Sequence, residues 1–358
     1  MHATKIRVRL EANNPEKTGF GAARSIPTMP PMRHALALLG SALLAPPETV
    51  VVKLASPVPE GHSWHLVQKE TADEWRAISG GRVAVRLYAG GLAGEDPDVV
   101  RRMRAGTLDA GVLSTVGLAE IDPFVRALGL PLMFASDAEA QYVFDKMRPG
   151  IEARMEAAGF LILNWVEGGW AHFFTIRPVV APADFAGLKV FAWVADRDAE
   201  RTWKAVGFDP VSLPTAEVPS ALRDGRLGAV AVPPALAVFA GYHRRAPHMT
   251  ELRWQWTLGA TVIRRATWEK ISPDLRAALL DAARRSGRRL RATEQSAARD
   301  VAAMKARGLN VVAVDARARQ LWQQAAESAY ERLRGAVVPA EAFDEVRRHC
   351  QAFRRKGD

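Results

Sequence analysis

From residue 50 onward, the chain alternates between short apolar runs and stretches with helical periodicity. Residues 50–56 (VVVKLAS) predict a β-strand that ends before two prolines, Pro57 and Pro59. A helix is predicted next, because the following large side chains recur on one helical face: Trp64, Val67, Thr71, Trp75 and Ile78. Residues 82–88 then alternate between polar and apolar positions, which predicts a half-buried strand.

The same pattern continues through residue 114. Asp96 followed by Pro97 predicts a helix start, and Gly106 predicts its end. Residues 108–114 predict a third strand. This βαβαβ order is typical of a parallel sheet with helices on its faces.

The second half of the chain repeats this organisation and then becomes helical. We expect strands over 160–166 and 188–194, and helices over 198–206 and 217–223. Beyond Pro273, a helix of about 30 residues would span about 45 Å, enough to cross two lobes. Its shared apolar face is formed by Leu275, Leu279, Ala282 and Ala283. Gly308 precedes a last strand, over 309–314.

The first 49 residues are predicted to be a leader or an extension. Arg33 and His34 precede eleven small or apolar residues, 35–45, which are followed by two prolines. A basic start, a short apolar core and small exit residues are typical of a signal peptide, here over about 32–45. A buried core helix is the alternative, but the prolines would stop it at once. We therefore expect export to the periplasm.

Composition narrows the classes of function. The net charge is +10, and much of it lies in Arg-rich segments near residues 284–291 and in a basic C-terminal tail, 336–358. No aromatic residues alternate with these arginines, so a solvated face is favoured over a nucleic-acid site. A single cysteine, Cys350, excludes an internal disulfide and any cysteine-cluster metal site.

Enzyme motifs are missing from the sequence. It contains no Walker loop, no Gly-x-Ser-x-Gly elbow and no His-Glu-x-x-His motif. The glycine-rich segment 90–94 is followed by Glu95 and Asp96, whose charges would repel a phosphate. His62 and His65 could share a metal, but a pair without a third ligand is more often structural. We expect no catalytic residues, no metal and no cofactor.

Several ordered segments resemble the substrate-binding proteins of tripartite ATP-independent periplasmic (TRAP) transporters, the DctP-like family. The most specific is 182–190 (PADFAGLKV), preceded by 177–179 (RPV). Supporting segments are 55–63 (ASPVPEGHS), 79–82 (SGGR), 106–109 (GTLD), 128–134 (LGLPLMF), 221–222 (AL) with Gly225, and 268–273 (WEKISP). The resemblance covers Lys53 to about Leu333. It implies two α/β lobes, each a mixed sheet flanked by helices, with a long helix across both, that close on a ligand.

The departures from the family pattern concern its polar contacts. The resemblance places a carboxylate-binding arginine at Phe191 and a second arginine at Trp170. The family's polar turn is replaced by 228–233 (GAVAVP). We therefore predict an apolar second-lobe wall formed by Phe191, Trp170, Trp193, Val230 and Val232. The alternative is that these aromatic residues are ordinary core.

The first lobe supplies further candidates at the carboxyl ends of its strands. His62 and Trp64 follow the first strand, and Ser114 and Thr115 follow the third. His62 or Ser114 could hold a polar head group, although Ser114 could equally cap the next helix. The predicted lobes are 50–168 plus about 253–285, and 169–252 plus about 286–335.

The predicted function is a periplasmic, non-enzymatic receptor that binds a hydrophobic or amphipathic ligand, such as a lipid, an isoprenoid or an aromatic compound. The resemblance implies delivery to integral membrane TRAP permease subunits. Two alternatives stay open: a periplasmic lipid shuttle or sensor using the same cleft, and an interaction protein whose cleft is closed. The sequence leaves a monomer and a dimer equally open.

Overall fold

A computed structural model describes residues 49–294 and 297–357; the side chains of 291–294 and 357 are not described. The predicted leader therefore lies outside the described residues. No helix within the described ranges has both the length and the apolar character needed to cross a membrane.

The first lobe is built on parallel strands with helical crossovers, as the apolar periodicity predicts. Its strands are β1 (Val50–Ala55), β2 (Val83–Tyr88) and β3 (Ala110–Ser114), and β1 lies between the other two. The crossovers are α1 (Ser63–Ile78) and α2 (Asp96–Arg104). The helical face predicted for α1 is partly correct: Val67 and Trp75 are buried, and the Trp75 indole donates a hydrogen bond to the Leu279 carbonyl.

Three helical segments complete this lobe before the chain leaves it. They are α3 (Thr115–Ile121), a 3-10 helix (Pro123–Gly129) and α4 (Asp137–Ala157). Their buried side chains, among them Phe124, Leu128 and Phe144, form one large core cluster.

Two long antiparallel strands connect the lobes. Strand β4 (Phe160–Thr175) pairs with β9 (Gln255–Arg264) along residues 160–171 and then with a second-lobe strand along 172–175. The sequence predicts an end to β4 near residue 166, but the strand continues for nine more residues. A register shift between Glu167 and Gly169, with Gly169 at φ +74, lets the strand pass the glycines as a β-bulge.

The second lobe repeats the parallel arrangement. Strand β5 (Lys189–Trp193) lies between β6 (Asp209–Leu213) and β7 (Ala229–Val232), and β7 pairs antiparallel with the end of β4. The helices between and after these strands are α5 (Ala199–Val206), α6 (Val218–Arg223) and α7 (Pro234–Phe239). Two short strands, β8 (His248–Thr250) and β10 (Asn310–Val312), pair with each other, and β8 extends the sheet beside β4.

Helices cover the outside of both sheets. The short α8 (Arg265–Trp268) is followed by α9 (Pro273–Glu294) and α10 (Ala297–Lys305), which occupy the predicted long-helix segment; residues 295–296 between them are not described. Helix α9 packs on α1 and β4, and α10 packs on α7 of the second lobe. The four predicted face residues of α9 are all buried.

The C-terminal helices pack against both lobes. Helix α11 (Ala316–Leu333) packs on α5, and its Trp322 indole donates to the Val180 carbonyl. The predicted basic tail contains α12 (Ala340–Gly357), which packs on α4. Ala342, Val346 and Cys350 recur every four residues on its buried face. The tail is thus an amphipathic helix with its arginines outside.

Candidate ligand-binding cleft

A cavity of about 450 Å³ lies between the two lobes, against the strands that connect them. Its wall is formed by the loops that follow β1, β3 and β7, together with the middle of β4 and β9. Loops at the carboxyl ends of parallel strands are the usual ligand site of open α/β sheets. A volume of this size is also within the usual range for small-molecule sites, about 300–1,000 Å³.

The loop after β1 provides an apolar wall with one imidazole in it. Residues 57–59 line the cavity together with His62 and Trp64, as predicted for the latter two. The His62 ring accepts a hydrogen bond at Nδ1 from the backbone N–H of Trp64, at 3.2 Å, which caps α1. Burial lowers the pKa of His62, so the ring is neutral at pH 7.

Ser114 lines the cavity and also caps the following helix. Its hydroxyl accepts from the Val116 N–H at 3.2 Å and donates to Asp96 Oδ2 at 2.6 Å. Asp96 Oδ2 also accepts from the backbone N–H groups of Ser114 and Gly117. Through these hydrogen bonds, the Asp96 side chain holds the turn between β3 and α3. Burial raises the pKa of Asp96 above its usual value, and the hydrogen bonds oppose this rise only in part.

The connecting strands form the floor of the cavity. Val166 and Gly168 of β4 contribute to it, as do residues 257–260 of β9. The Thr257 hydroxyl donates to the Gly169 carbonyl at 2.9 Å. Gly259 allows β9 to approach β3 closely, because a Cβ atom at this position would lie 2.7 Å from the Leu113 carbonyl oxygen.

Sequence reasoning missed the helix that forms the second-lobe wall. Pro233, Ala235, Leu236 and Phe239 line the cavity from the end of β7 and from α7. The Phe239 ring lies edge-on to the His62 ring, with centroids 5.4 Å apart, so the two lobes touch across the cleft. The run 233–239 (PPALAVF) begins at the end of segment 228–233, where apolar residues replace the family's polar turn. This adjacency could have identified α7 as part of the wall.

Three residues predicted for that wall lie in the core instead. Trp170 is only 8% exposed, and its indole donates to Asp137 Oδ1 at 2.7 Å, with the Arg253 guanidinium 5.4 Å from the ring centroid. Val230 and Val232 are buried in the second-lobe core cluster. Both faces of a central strand are covered by protein, so an apolar residue there has no preference for the cleft.

Phe191, Trp193 and Thr115 also lie outside the cavity lining. Phe191 packs against the second-lobe core cluster. Burial, with the charges of Asp96 and Asp98, raises the pKa of Glu95 in the first lobe. The buried Trp193 indole N–H makes no hydrogen bond of good geometry, but it lies near this carboxyl and opposes the rise. The Thr115 hydroxyl donates to the Leu258 carbonyl at 2.8 Å, directly behind the floor.

An ion pair joins the lobes beside the cleft. Arg126, in the 3-10 helix of the first lobe, lies 3.0 Å from Asp196 and 3.6 Å from Asp198, in the loop after β5. The Arg126 side chain is only 12% exposed, and those of its partners 17% and 23%. The arginine is therefore already neutralised by two carboxylates that belong to the protein.

Other groups with possible chemistry have structural partners. Within the described residues, no group of three or more His, Cys, Asp or Glu side chains is placed to hold a metal ion. His65 accepts at Nδ1 from the Gly61 N–H at 3.1 Å. The amides of Gly90 and Gly91 donate to the Val58 and Ser56 carbonyls rather than forming an anion cradle.

Cys350 lies on the buried face of α12, where desolvation raises the pKa of its thiol to about 12. This thiol is therefore unreactive at neutral pH.

The chain resembles known proteins over most of its length. It is 26% identical over 255 residues to the 2,3-diketo-L-gulonate-binding periplasmic protein YiaO of Escherichia coli, covering 70% of this chain and 77% of YiaO. It is 24% identical over 290 residues to a solute-binding protein of Roseobacter denitrificans, covering 79% of this chain and 87% of that protein.

Solved structures share the fold. A TRAP periplasmic solute-binding protein of Haemophilus influenzae with bound L-gulonate matches with a TM-score of 0.74 at 19% identity, covering 85% of this chain and 99% of that one. A Roseobacter denitrificans counterpart with bound β-D-glucuronate matches at 0.75 and 22% identity, covering 83% and 99%.

The solved structures agree with the predicted two-lobe α/β fold. The family model of the bacterial extracellular solute-binding proteins, family 7 (DctP), matches residues 54–335. Proteins of this family are periplasmic and work with membrane permease subunits. This chain belongs to the DctP family and is a TRAP-type periplasmic solute receptor.

Proposed function

We propose that this receptor captures a hydrophobic or amphipathic ligand, not a small carboxylate, and delivers it to TRAP membrane subunits. The observation that carries the proposal is the cavity wall. The described residues that form it include no Asp, Glu, Lys or Arg side chain, and the one titratable side chain among them, His62, is neutral at pH 7.

A carboxylate would have no cation to meet there. The position at which the family resemblance expects a carboxylate-binding arginine is Phe191, which packs into the second-lobe core. Arg126 is occupied by Asp196 and Asp198. Burying an unpaired carboxylate costs at least several kcal/mol, which would exceed the gain from a few apolar contacts.

An apolar ligand gains free energy from the same wall. Val112, Leu113, Leu258 and Phe239 present aliphatic and aromatic surface. Burying about 250 Å² of apolar ligand surface would contribute roughly 6 kcal/mol before the costs of association. The solved relatives named above hold sugar acids, so this proposal assigns a different ligand class to the same fold.

The cavity also favours a working receptor over the closed-cleft alternative. About 450 Å³ of space is left although the lobes already touch at His62 and Phe239 and are joined by the Arg126 ion pair. A cleft that had closed over with side chains would have no such volume. Export by the predicted leader, 32–45, belongs to the same proposal.

Mass spectrometry of small molecules extracted from protein purified from its own host tests the ligand class. We expect a lipid, isoprenoid or aromatic compound that raises the melting temperature when it is added back. Calorimetry with L-gulonate and D-glucuronate is the counter-test. Tight binding of either acid, with no response to apolar compounds, would refute the proposal.

A further inference from the structure

The polar atoms in the cavity wall have a definite hydrogen-bonding character. Four side chains of the lining have polar atoms: His62, Trp64, Ser114 and Thr257. Trp64 already makes a further interaction. Each of the other three makes hydrogen bonds within the protein that fix which of its atoms still carries a free proton or a free lone pair.

The two hydroxyl groups present lone pairs. Ser114 has one hydroxyl proton, which it donates to Asp96 Oδ2 at 2.6 Å. Asp96 Oδ2 also accepts from two backbone N–H groups, so this carboxyl oxygen cannot donate a proton to the Ser114 hydroxyl in return. Thr257 gives its proton to the Gly169 carbonyl at 2.9 Å. A ligand therefore meets acceptors at both hydroxyl oxygens.

The imidazole presents the complementary donor. Because His62 Nδ1 accepts from the Trp64 N–H, the neutral ring carries its proton on Nε2. Within the described part of the chain, no protein group accepts that proton. Apart from the Trp64 indole, the side chains that the structure describes in this wall thus offer one donor and two acceptors.

We infer that the ligand carries a neutral hydroxyl group, so that the cleft takes an apolar alcohol or phenol and rejects the carboxylate of the same skeleton. A hydroxyl group accepts from Nε2–H and donates to Ser114 or Thr257 Oγ. A carboxylate can only accept, so it would satisfy Nε2–H but face uncompensated lone pairs at both hydroxyl oxygens. This inference rests on the proposed function and names the ligand class of the same site.

Calorimetry on the full chain with a matched set of probes tests the inference without any mutation. The probes are 2-naphthol, naphthalene and 2-naphthoate, with 1-decanol and decanoate as a second skeleton. We expect 2-naphthol to bind about tenfold tighter than naphthalene, as one satisfied hydrogen bond allows. We expect 2-naphthol and 1-decanol each to bind at least a hundredfold tighter than the carboxylate of the same skeleton.

A variant identifies the donor. His62→Asn keeps a side-chain oxygen that can cap α1 but lacks the distant Nε2–H, so the ratio of 2-naphthol to naphthalene affinity should fall about tenfold. His65→Asn is the matched control, since His65 is absent from the cavity lining, and it should leave that ratio unchanged.

The outcomes separate the two claims. If naphthalene binds but 2-naphthol gains nothing over it, or if the carboxylates match the alcohols, the hydroxyl inference is refuted while an apolar cleft stands. If none of the naphthyl or decyl compounds binds and sugar acids do, the proposed function falls, and the inference falls with it.

Discussion

The aromatic ring of Phe239 provides a direct test of where the ligand binds. Phe239 is 53% exposed although it lines the cavity, and it is the second-lobe residue that touches His62 across the cleft. A large aromatic side chain offers about 200 Å² for burial, so about 100 Å² of this one is still available to a ligand. Removing the ring should therefore weaken ligand binding more than it weakens folding.

The magnitude follows from the area that the ligand covers. If 1-decanol covers half of the exposed ring, about 50 Å² of apolar surface is lost in Phe239→Ala. At about 25 cal/mol per Å² this is about 1.3 kcal/mol, or about a tenfold rise in Kd. The lost edge contact with His62 should lower the free energy of unfolding by about 1 kcal/mol at most.

Calorimetric titration of parent and variant with 1-decanol measures this difference, and a thermal melt confirms that the variant is folded. Leu92→Ala is the matched control, because Leu92 is 79% exposed and lies outside the cavity lining. A Kd within twofold of the parent for Phe239→Ala, or an equal loss in Leu92→Ala, would show that α7 does not form the ligand wall.

Three further predictions concern lobe closure, pH and the core. Arg126→Gln removes the interlobe cation and leaves its two partner carboxylates facing each other. We expect this variant to lose about 1–2 kcal/mol of stabilisation of the closed form and to show a larger radius of gyration in X-ray scattering. The control Arg101→Gln, which removes an exposed ion pair, should change neither quantity. Burial lowers the pKa of His62 in the folded protein, so below about pH 6.5 the unfolded chain binds more protons than the folded chain. The free energy of unfolding of the parent, measured with urea, should therefore decline as the pH falls through this range. The decline should be less steep in His62→Asn, which lacks the imidazole. Phe191→Arg should lower the free energy of unfolding by more than about 2 kcal/mol, because the Phe191 side chain packs on the second-lobe core. The control Val194→Arg, at a position that is 52% exposed, should change it by no more than about 0.5 kcal/mol. Equal unfolding midpoints for the two variants would place Phe191 at the surface.

Local patterns were sufficient for most of the secondary structure. The helical spacing of large side chains marked α1, and the proline-to-glycine interval marked α2. The length of strand β4 was underestimated because two adjacent glycines resemble a strand end. Only its pairing with β9 on both sides of the bulge keeps the strand continuous. The repeat of Ala342, Val346 and Cys350 was visible in the sequence but was outweighed by the many arginines around it.

The sequence predicted some of the residues that line the cavity and missed others. His62, Trp64 and Ser114 were found by the rule that ligands meet the carboxyl ends of parallel strands, and all three line the cavity. Trp170 and Val232 were chosen because they replace polar residues of a resembling family. An alignment says what a residue replaces, but it does not say whether the backbone still turns that residue toward the cleft.

The sequence by itself determined that this chain makes two α/β lobes, that it belongs with the solute receptors, and that phenylalanine occupies position 191, where the family resemblance places a carboxylate-binding arginine. Periodicity and short motifs carry this information because they depend on neighbours within a few residues. Only the tertiary structure decided that α7 forms the second-lobe wall and that the hydroxyl protons of Ser114 and Thr257 are already used. The Ser114 hydroxyl donates to Asp96, 18 residues away along the chain, and the Thr257 hydroxyl donates to Gly169, 88 residues away. These groups come within hydrogen-bonding distance only when the lobes and their connecting strands have folded.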